Sequence, residues 1–304
     1  RCWVWPGTTA DVTRVEEVKR DLIAWKLGRV VTVVDRGFVS EENLRVLQWA
    51  GGHYIAGERL RAGKEGVEAA LSRPGRYRKV RPNLEVKEIV VGTGEARERY
   101  ILVRNREQAE RDRAQREQIL ARIREELQAI ARLPKGQRAK AVCALLAHPA
   151  YGRYLKLDER RWPVIDRAKV QAEARLDGKY LLRTSDDTLA PVDVALGYKQ
   201  LIEVEEAFRT LKHTLELRPI YHRKDERIRA HVLLCWLALL LVRVAEVRVE
   251  ERLGQRYSWA RIRAELERMH LGYFRGQAGV VYQRTETTPF QARLFQAIGV
   301  EEPP

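Results

Sequence analysis

The stretch Val30-Val31-Thr32-Val33-Val34-Asp35-Arg36-Gly37 indicates the fold class of this chain. Its first five residues are all β-branched and do not alternate with polar residues, a pattern typical of a strand buried on both faces of a partly parallel sheet. Ser40 then caps a predicted helix that ends at Gly51 and Gly52, and residues 53–56 form the next strand. We therefore predict an α/β core in which strands and helices alternate.

The residues before this strand predict a further strand and helix. Residues 1–5 are rich in Cys, Val and Trp and indicate the end of a strand, which a turn at Pro6 and Gly7 closes. A helix follows, because Thr8 and Thr9 can cap it and apolar residues then recur at three- and four-residue steps. The chain starts inside the apolar run without an initiator Met, so we interpret it as a fragment that lacks the first strands of its sheet.

The composition points to a polyanionic partner. Among 304 residues, 57 are Lys or Arg and 42 are Asp or Glu, which gives a net charge of +15. Such an excess is typical of proteins that bind nucleic acid or an acidic membrane surface. The longest apolar run, residues 232–242, is far shorter than the roughly 20 residues that cross a bilayer. The three scattered cysteines exclude a disulfide framework or a zinc ribbon and suit a reducing cytoplasm.

The periodicity changes between residues 59 and 187, where we predict a β-rich insertion with one long helix. The helix covers residues 104–133, and Asp177-Gly178 is a strong hairpin signal. The predicted strands of this region are residues 77–80, 84–91, 98–103, 154–157, 164–174 and 179–184.

The last third of the chain is predicted to be helical. Long helices are expected over residues 192–215 and 226–249, a third over 259–270, and a short one around 291–298. The predicted domains are therefore an N-terminal part of an α/β core at 1–58, the insertion at 59–187, core helices at 188–252 and a helical tail at 253–304.

Two groups of residues could carry chemistry. Asp35 ends a predicted buried strand and precedes Gly37 by two positions, which is where open α/β sheets place functional groups, although it could also only cap a loop. On the first long helix, Tyr198, Glu205 and Phe208 follow helical steps together with two cations, Arg209 and Lys212. The alternative is an ordinary solvated face held by ion pairs.

The spacing of Tyr198, Leu201, Glu205 and Lys212 resembles the Y-(2)-R-(3)-E-(6)-K signature of bacterial insertion-sequence transposases with a DDE active site. One subgroup of these enzymes is similar along most of the chain. Its further motifs occur in the same order at residues 7–11, 34–40, 177–180, 215–223 and 229–232.

The resemblance implies a ribonuclease-H-like fold, whose mixed sheet a β-rich insertion interrupts before the last catalytic helix. In that family two Asp and one Glu bind two divalent ions, Mg²⁺ or Mn²⁺, for hydrolysis and strand transfer at DNA ends. Matched by motif, Asp35 is the second Asp and Glu205 is the Glu, and we expect the two to approach each other. Leu201 departs from the signature, which has Arg there. No residue matches the first Asp, which we expect upstream of Arg1. Asp11 is a candidate for this role, but its place in the first turn of a helix is better explained by the helix dipole.

The implied partners are the double-stranded DNA of the transposon ends and of the target, with a homodimer in the synaptic complex and no membrane. Tyr198, Arg209 and Lys212 are expected to contact the transposon end. These three side chains could instead only pair with nearby glutamates at 205, 206 and 216. A basic excess follows them at Arg218, Arg223 and Lys224. Two alternatives to a cut-and-paste transposase stay open: a ribonuclease-H-like nuclease without strand transfer, and an inactive DNA-binding remnant.

Overall fold

The structure is a computed structural model that describes residues 2–6, 11–61, 63–94, 97–277 and 279–303. The chain divides into two compact units. The larger unit is Thr8–Ile202, and the smaller one combines Glu203–Pro304 with Arg1–Gly7.

The larger unit is built on a mixed sheet. Its strands are β1 (Val31–Val34), β2 (His53–Glu58), β3 (Arg78–Arg81), β4 (Leu84–Val91), β5 (Glu98–Arg104), β6 (Leu155–Leu157), β7 (Pro163–Ile165) and β8 (Lys179–Thr184). Six of them form one sheet in the order β1-β2-β8-β5-β4-β3, and β6 pairs with β7 alone. Only β1 and β2 are parallel within the large sheet, and its other pairs are antiparallel. The predicted α/β class is confirmed, and the ribonuclease-H-like arrangement stays a prediction.

The strand that ends before Asp35 pairs as the sequence predicts. β1 runs parallel to β2 with Val31 opposite His53, and β1 is the outermost strand at its end of the described sheet. Its predicted burial on both faces is wrong, because only Val34 is buried while the three preceding residues are partly exposed. A strand with one neighbour in the sheet is covered less completely than a central one.

Helices cover both faces of the large sheet. α2 (Glu41–Leu47) and α3 (Glu65–Ser72) pack on the sheet, as does α7 (Pro191–Lys199), and α1 (Val15–Ala24) packs on α2. The helices α4 (Arg106–Arg132), α5 (Lys135–Ala147) and α6 (Arg167–Ala174) form a separate cluster with β6 and β7. Neighbouring strand residues point to opposite faces, so Ile101 packs with Val194 of α7 while Leu102 packs with Val67 of α3. The predicted Ser40 cap of α2 is confirmed, since its Oγ accepts a hydrogen bond from the Asn43 N–H at 3.1 Å.

Several local predictions for the larger unit are wrong. Residues 164–174 form β7 and α6 rather than one strand, because the Asp166 carboxylate caps α6 by accepting from the Ala168 N–H at 2.9 Å. Asp177-Gly178 joins α6 to β8 and makes no hairpin. The Gly178 N–H donates to Asp112 of α4 at 2.8 Å, which ties this turn to the long helix. Helices α3 and α5 were not predicted.

The sheet also unites regions that the sequence assigns to different parts. β3, β4, β5 and β8 come from the predicted insertion, yet they continue the sheet that β1 and β2 begin. The predicted domain boundaries themselves stay a prediction. At the N-terminus, residues 2–6 form no strand, contrary to expectation, and the predicted caps Thr8 and Thr9 lie outside the described residues.

The predicted long helix over 192–215 is divided into two. α7 ends at Lys199 and α8 spans Leu201–His213, with Gln200 as the single interrupting residue. Tyr198 therefore lies on α7, whereas Glu205, Arg209 and Lys212 lie on α8. The prediction that these four side chains share one side of one helix is wrong.

The smaller unit is mainly helical. Besides most of α8 it contains α9 (Asp225–Leu253), α10 (Trp259–Leu266), β9 (Leu271–Gly276), β10 (Gly279–Arg284) and α11 (Pro289–Ile298). Val249, Ile262 and Leu294 are fully buried where α9, α10 and α11 meet. The third predicted helix ends four residues early, and the antiparallel hairpin of β9 and β10 follows it unpredicted. Throughout the described ranges, no helix has both the length and the apolar content needed to span a membrane.

Candidate functional site

Asp35 lies directly after the carboxyl-terminal end of β1. The parallel strand β2 has its own carboxyl-terminal end at the same edge of the sheet. Val34 is buried and anchors the strand, whereas the Asp35 side chain is exposed. The Phe38 N–H donates to the Asp35 carbonyl oxygen at 2.9 Å, which closes a turn through Gly37. This is the edge where parallel strands of α/β proteins present functional groups.

Tyr198 contacts Asp35 directly, although the two residues are 163 positions apart in the chain. The Tyr198 hydroxyl donates to Oδ1 of Asp35 at 2.9 Å. α7 holds the tyrosine in place by burying Val194 and Ala195 against the sheet. Burial first, and then the hydrogen bond to the carboxylate, raise the pKa of the Tyr198 hydroxyl, so it remains a neutral donor. Two residues that the sequence analysis predicts to lie in separate motifs thus contact each other.

The close approach of Tyr198 depends on a glycine that sequence reasoning missed. A Cβ at Gly57 of β2 would lie 2.3 Å from the Tyr198 hydroxyl oxygen, so any larger residue would displace the ring. The Tyr180 ring of β8 stacks on Tyr198 with centroids 5.8 Å apart. Burial raises the pKa of Tyr180 to about 12, and its buried hydroxyl has no hydrogen-bond partner among the described residues. No sequence signal marks Gly57, because its role exists only where α7 crosses β2.

Tyr198→Phe is expected to lower the free energy of unfolding by about 1 kcal/mol, which is the usual net contribution of such a hydrogen bond. Urea denaturation measures the difference. Tyr180→Phe is the matched control, since it removes a hydroxyl that makes no hydrogen bond in the described structure and should leave stability unchanged or slightly higher. An equal loss in both variants would contradict the assigned contact with Asp35.

Glu205 belongs to the smaller unit, on α8, and its side chain is exposed. Its neighbour Glu206 forms an ion pair with Arg256 at 3.3 Å and is therefore already engaged. Because the division of the chain falls between Ile202 and Glu203, Asp35 and Glu205 lie in different units. The expected approach of these two carboxylates stays a prediction.

The cations predicted to hold DNA phosphates are all exposed in the smaller unit. Arg209 and Lys212 lie on α8, and Arg218, Arg223 and Lys224 lie between α8 and α9. None of the five forms an ion pair with a carboxylate in the described part of the chain, where Glu206 pairs with Arg256 instead. The alternative in which nearby glutamates neutralise Arg209 and Lys212 therefore finds no support among the described residues, and the charges of all five cations are available to a ligand.

The donor chemistry at Asp35 and Glu205 suits a hard divalent ion. Both side chains are exposed carboxylates, and Mg²⁺ and Mn²⁺ prefer oxygen ligands. At Asp35 the hydrogen bond from Tyr198 engages Oδ1. Within the described ranges, no three His, Cys, Asp or Glu side chains lie close enough together to hold a metal ion. Each carboxylate therefore fits as one ligand of a larger set.

A second aspartate, which sequence reasoning missed, organises the opposite end of β1. Asp186 is fully buried just after β8, where the Arg29 guanidinium donates to its Oδ2. Its Oδ1 accepts from the Thr188 N–H at 2.8 Å and the Leu189 N–H at 2.9 Å. Burial favours a raised pKa for Asp186, but these hydrogen bonds outweigh it and hold the pKa well below its usual range. Asp186 thus ties the chain entering β1 to the end of β8.

Comparison with known proteins identifies the family of this chain. A family model described as a transposase DDE domain matches residues 4–241 of the 304. Searches of curated proteins and of solved structures found no match. The matched range includes Asp35 after β1, Tyr198 bonded to it, and the glutamate and cations of α8. With most of its length and all of its candidate site residues inside the match, the chain belongs to the transposase DDE domain family.

Proposed function

We propose that this insertion-sequence transposase hydrolyses DNA phosphodiesters at the terminal inverted repeats of its element and joins the released ends to a target, by a cut-and-paste route. Binding of DNA and use of divalent metal ions follow from the family. The observation that carries the proposal further is the hydrogen bond from Tyr198 to Asp35, which unites two motifs of the family in space.

We assign Asp35 and Glu205 as ligands of two Mg²⁺ or Mn²⁺ ions. When bound, such ions activate the attacking oxygen and stabilise the leaving oxygen of an in-line phosphoryl displacement. Tyr198 orients the Asp35 carboxylate through a single oxygen, and as a neutral donor it adds no negative charge beside the DNA. This hydrogen bond holds the Asp35 carboxylate in one orientation, so less side-chain entropy would be lost when the carboxylate binds an ion.

Arg209 and Lys212 are proposed to hold phosphates of the transposon end near Glu205, with Arg218, Arg223 and Lys224 extending the same surface. Exposed cations without carboxylate partners contribute the most to the free energy of DNA binding, because each phosphate that they neutralise releases counterions. We further propose a ribonuclease-H-like arrangement of the core, which the parallel β1 and β2 beside antiparallel strands support. A homodimer would hold the two ends of the element in the synaptic complex.

Glu205→Gln is expected to abolish cleavage of a duplex carrying the terminal repeat while leaving its binding nearly unchanged, since only a negative charge is lost. Gel assays on the full chain with Mg²⁺ measure both cleavage and DNA binding. The same assays with a chelator are the metal-free reference. Glu206→Gln is the matched control on the same helix. The Glu206 carboxylate is already paired with Arg256, so its loss should leave cleavage and binding unchanged.

The outcomes separate the candidate functions. Cleavage followed by joining to a target plasmid supports the transposase, whereas cleavage without joining identifies a nuclease. Binding without metal-dependent cleavage by the wild type identifies an inactive remnant. Full cleavage by Glu205→Gln would remove Glu205 from the site.

A further inference from the structure

The far edge of the large sheet carries a concentrated positive charge, which we name the β3 basic cluster: Arg76, Arg78, Lys79 and Arg81. All four side chains are exposed, and residues 69–84 include no Asp or Glu. None of the four forms an ion pair in the described ranges of the chain. An uncompensated charge of this density within six residues is the electrostatic footprint of a polyanion site.

The nearest acidic residue on the neighbouring strand is already neutralised. Glu85 of β4 lies opposite Lys79 in the register, but it is buried and paired with Arg104 and Arg106. The Arg106 Nη2 atom lies 2.6 Å from its Oε1, so two arginines satisfy this single carboxylate. The cluster therefore keeps its full charge.

The backbone that carries the cluster is held in place. β3 pairs with β4, and the Lys87 ammonium of β4 donates to the Arg73 carbonyl oxygen at 2.7 Å. The ring of Tyr77, between Arg76 and Arg78, packs under the Arg104 guanidinium at 4.2 Å. Val80 packs into the core on the α7 face of the sheet. A ligand would meet a preformed array, with little ordering cost beyond the side chains themselves.

Position in the sheet separates the cluster from Asp35. The order β1-β2-β8-β5-β4-β3 places it at the opposite edge from the strand that carries Asp35. Strands are spaced by about 4.8 Å, so the two edges lie roughly 24 Å apart. That distance is about seven base pairs of B-DNA. The cluster cannot reach a phosphate held at Asp35, but it can reach the same duplex further along.

We propose that the β3 basic cluster binds the phosphate backbone of double-stranded DNA about seven base pairs from the bond that is cut at Asp35. The inference rests on the proposed function, because that function puts DNA at Asp35. A charged edge strand could instead only protect the sheet against edge-to-edge association. Loss of charge should weaken DNA binding if the cluster binds phosphates. It should instead cause association of the protein if the cluster only protects the edge.

Arg78→Gln/Lys79→Gln is the test variant, and fluorescence anisotropy with a labelled terminal-repeat duplex is the measurement. Two lost phosphate contacts should reduce the slope of log K against log[salt] by about 1.8 and weaken binding at 0.1 M salt by roughly tenfold to a hundredfold. Arg111→Gln/Arg113→Gln on α4 is the matched control. It removes the same charge from two exposed arginines that already pair with Glu107 and Glu117, and it should change affinity less than about threefold.

Hydroxyl-radical footprinting shows which part of the duplex the cluster contacts. The double variant should lose protection at about seven base pairs from the cleaved bond and keep it beside that bond. An unchanged salt slope, an equal loss in the α4 control, or association of the variant into larger species with normal DNA affinity would each overturn the proposal. A wild type that binds no duplex at all would instead overturn the proposed function, so the two failures are distinguishable.

Discussion

Asp35→Asn is expected to reduce metal-dependent DNA cleavage by at least about a thousandfold, while affinity for the terminal-repeat duplex stays within about threefold. The amide keeps the shape of the side chain, and its oxygen can still accept the hydrogen bond from Tyr198. What it loses is the negative charge that a hard divalent ion requires. Removing several kcal/mol of charge stabilisation, at about 1.4 kcal/mol per tenfold in rate, accounts for the size of the effect.

Asp187→Asn is the control for this experiment. Asp187 is another exposed carboxylate of the larger unit, paired with Arg97 at 3.1 Å and not matched to any family motif. It should leave cleavage and binding unchanged. If Asp35→Asn cuts DNA as well as this control does, Asp35 is not a ligand, and the assignment of the β1 edge as the site fails.

The second large effect concerns stability. Asp186→Ala is expected to lower the free energy of unfolding by about 3 kcal/mol, because a fully buried carboxylate is lost and the partly buried Thr188 and Leu189 N–H groups lose their acceptor. Arg29 loses its partner too, but its side chain is half exposed and water replaces part of that contact. Asp187→Ala, one residue further along and exposed, should cost no more than about 0.5 kcal/mol. Comparable losses in the two variants would contradict the structural role of Asp186.

The contribution of Asp186 should also depend on pH. Because its pKa is lower in the folded protein than the value of about 3.9 for an unfolded chain, the ionised group stabilises the fold above that value. Between pH 5 and 7 the difference in unfolding free energy between the wild type and Asp186→Asn should be constant. Below about pH 4 it should shrink progressively, as the unfolded state binds a proton that the folded state resists. A difference that grows on acidification would show the opposite sign of the pKa shift.

Local signals predicted the elements well where the elements depend on local interactions. The predicted strand over 84–91 and the one over 179–184 coincide with β4 and β8, since turn residues flank both segments, with Asn83 and Gly92 around the first and Gly178 before the second. The error at 164–174 is also local. No residue of α6 is fully buried, and the helix is held by the Asp166 cap and by the partly buried Val170, whereas the apolar residues around it suggested a strand.

The candidate site was predicted only in part, and for a physical reason. Asp35 and Glu205 are site residues predicted from the sequence, because residue type and spacing along the chain are themselves the motif. Gly57 was missed, because the need for a small residue arises from the ring of Tyr198 packing across β2. Asp186 was missed because its burial and its bond to Arg29 are set by residues 157 positions away.

The amino-acid sequence was sufficient for the α/β class, the transposase family, the prediction of a polyanionic partner and many strand and helix ends. These depend on backbone preferences, capping and charge, all of which act between neighbours in the chain. Tertiary contacts alone established that strands on both sides of the long helix α4 complete the sheet of β1, and that Tyr198 reaches Asp35. Strand pairing and side-chain contacts join residues far apart in the chain, and no local preference specifies which distant partner is met.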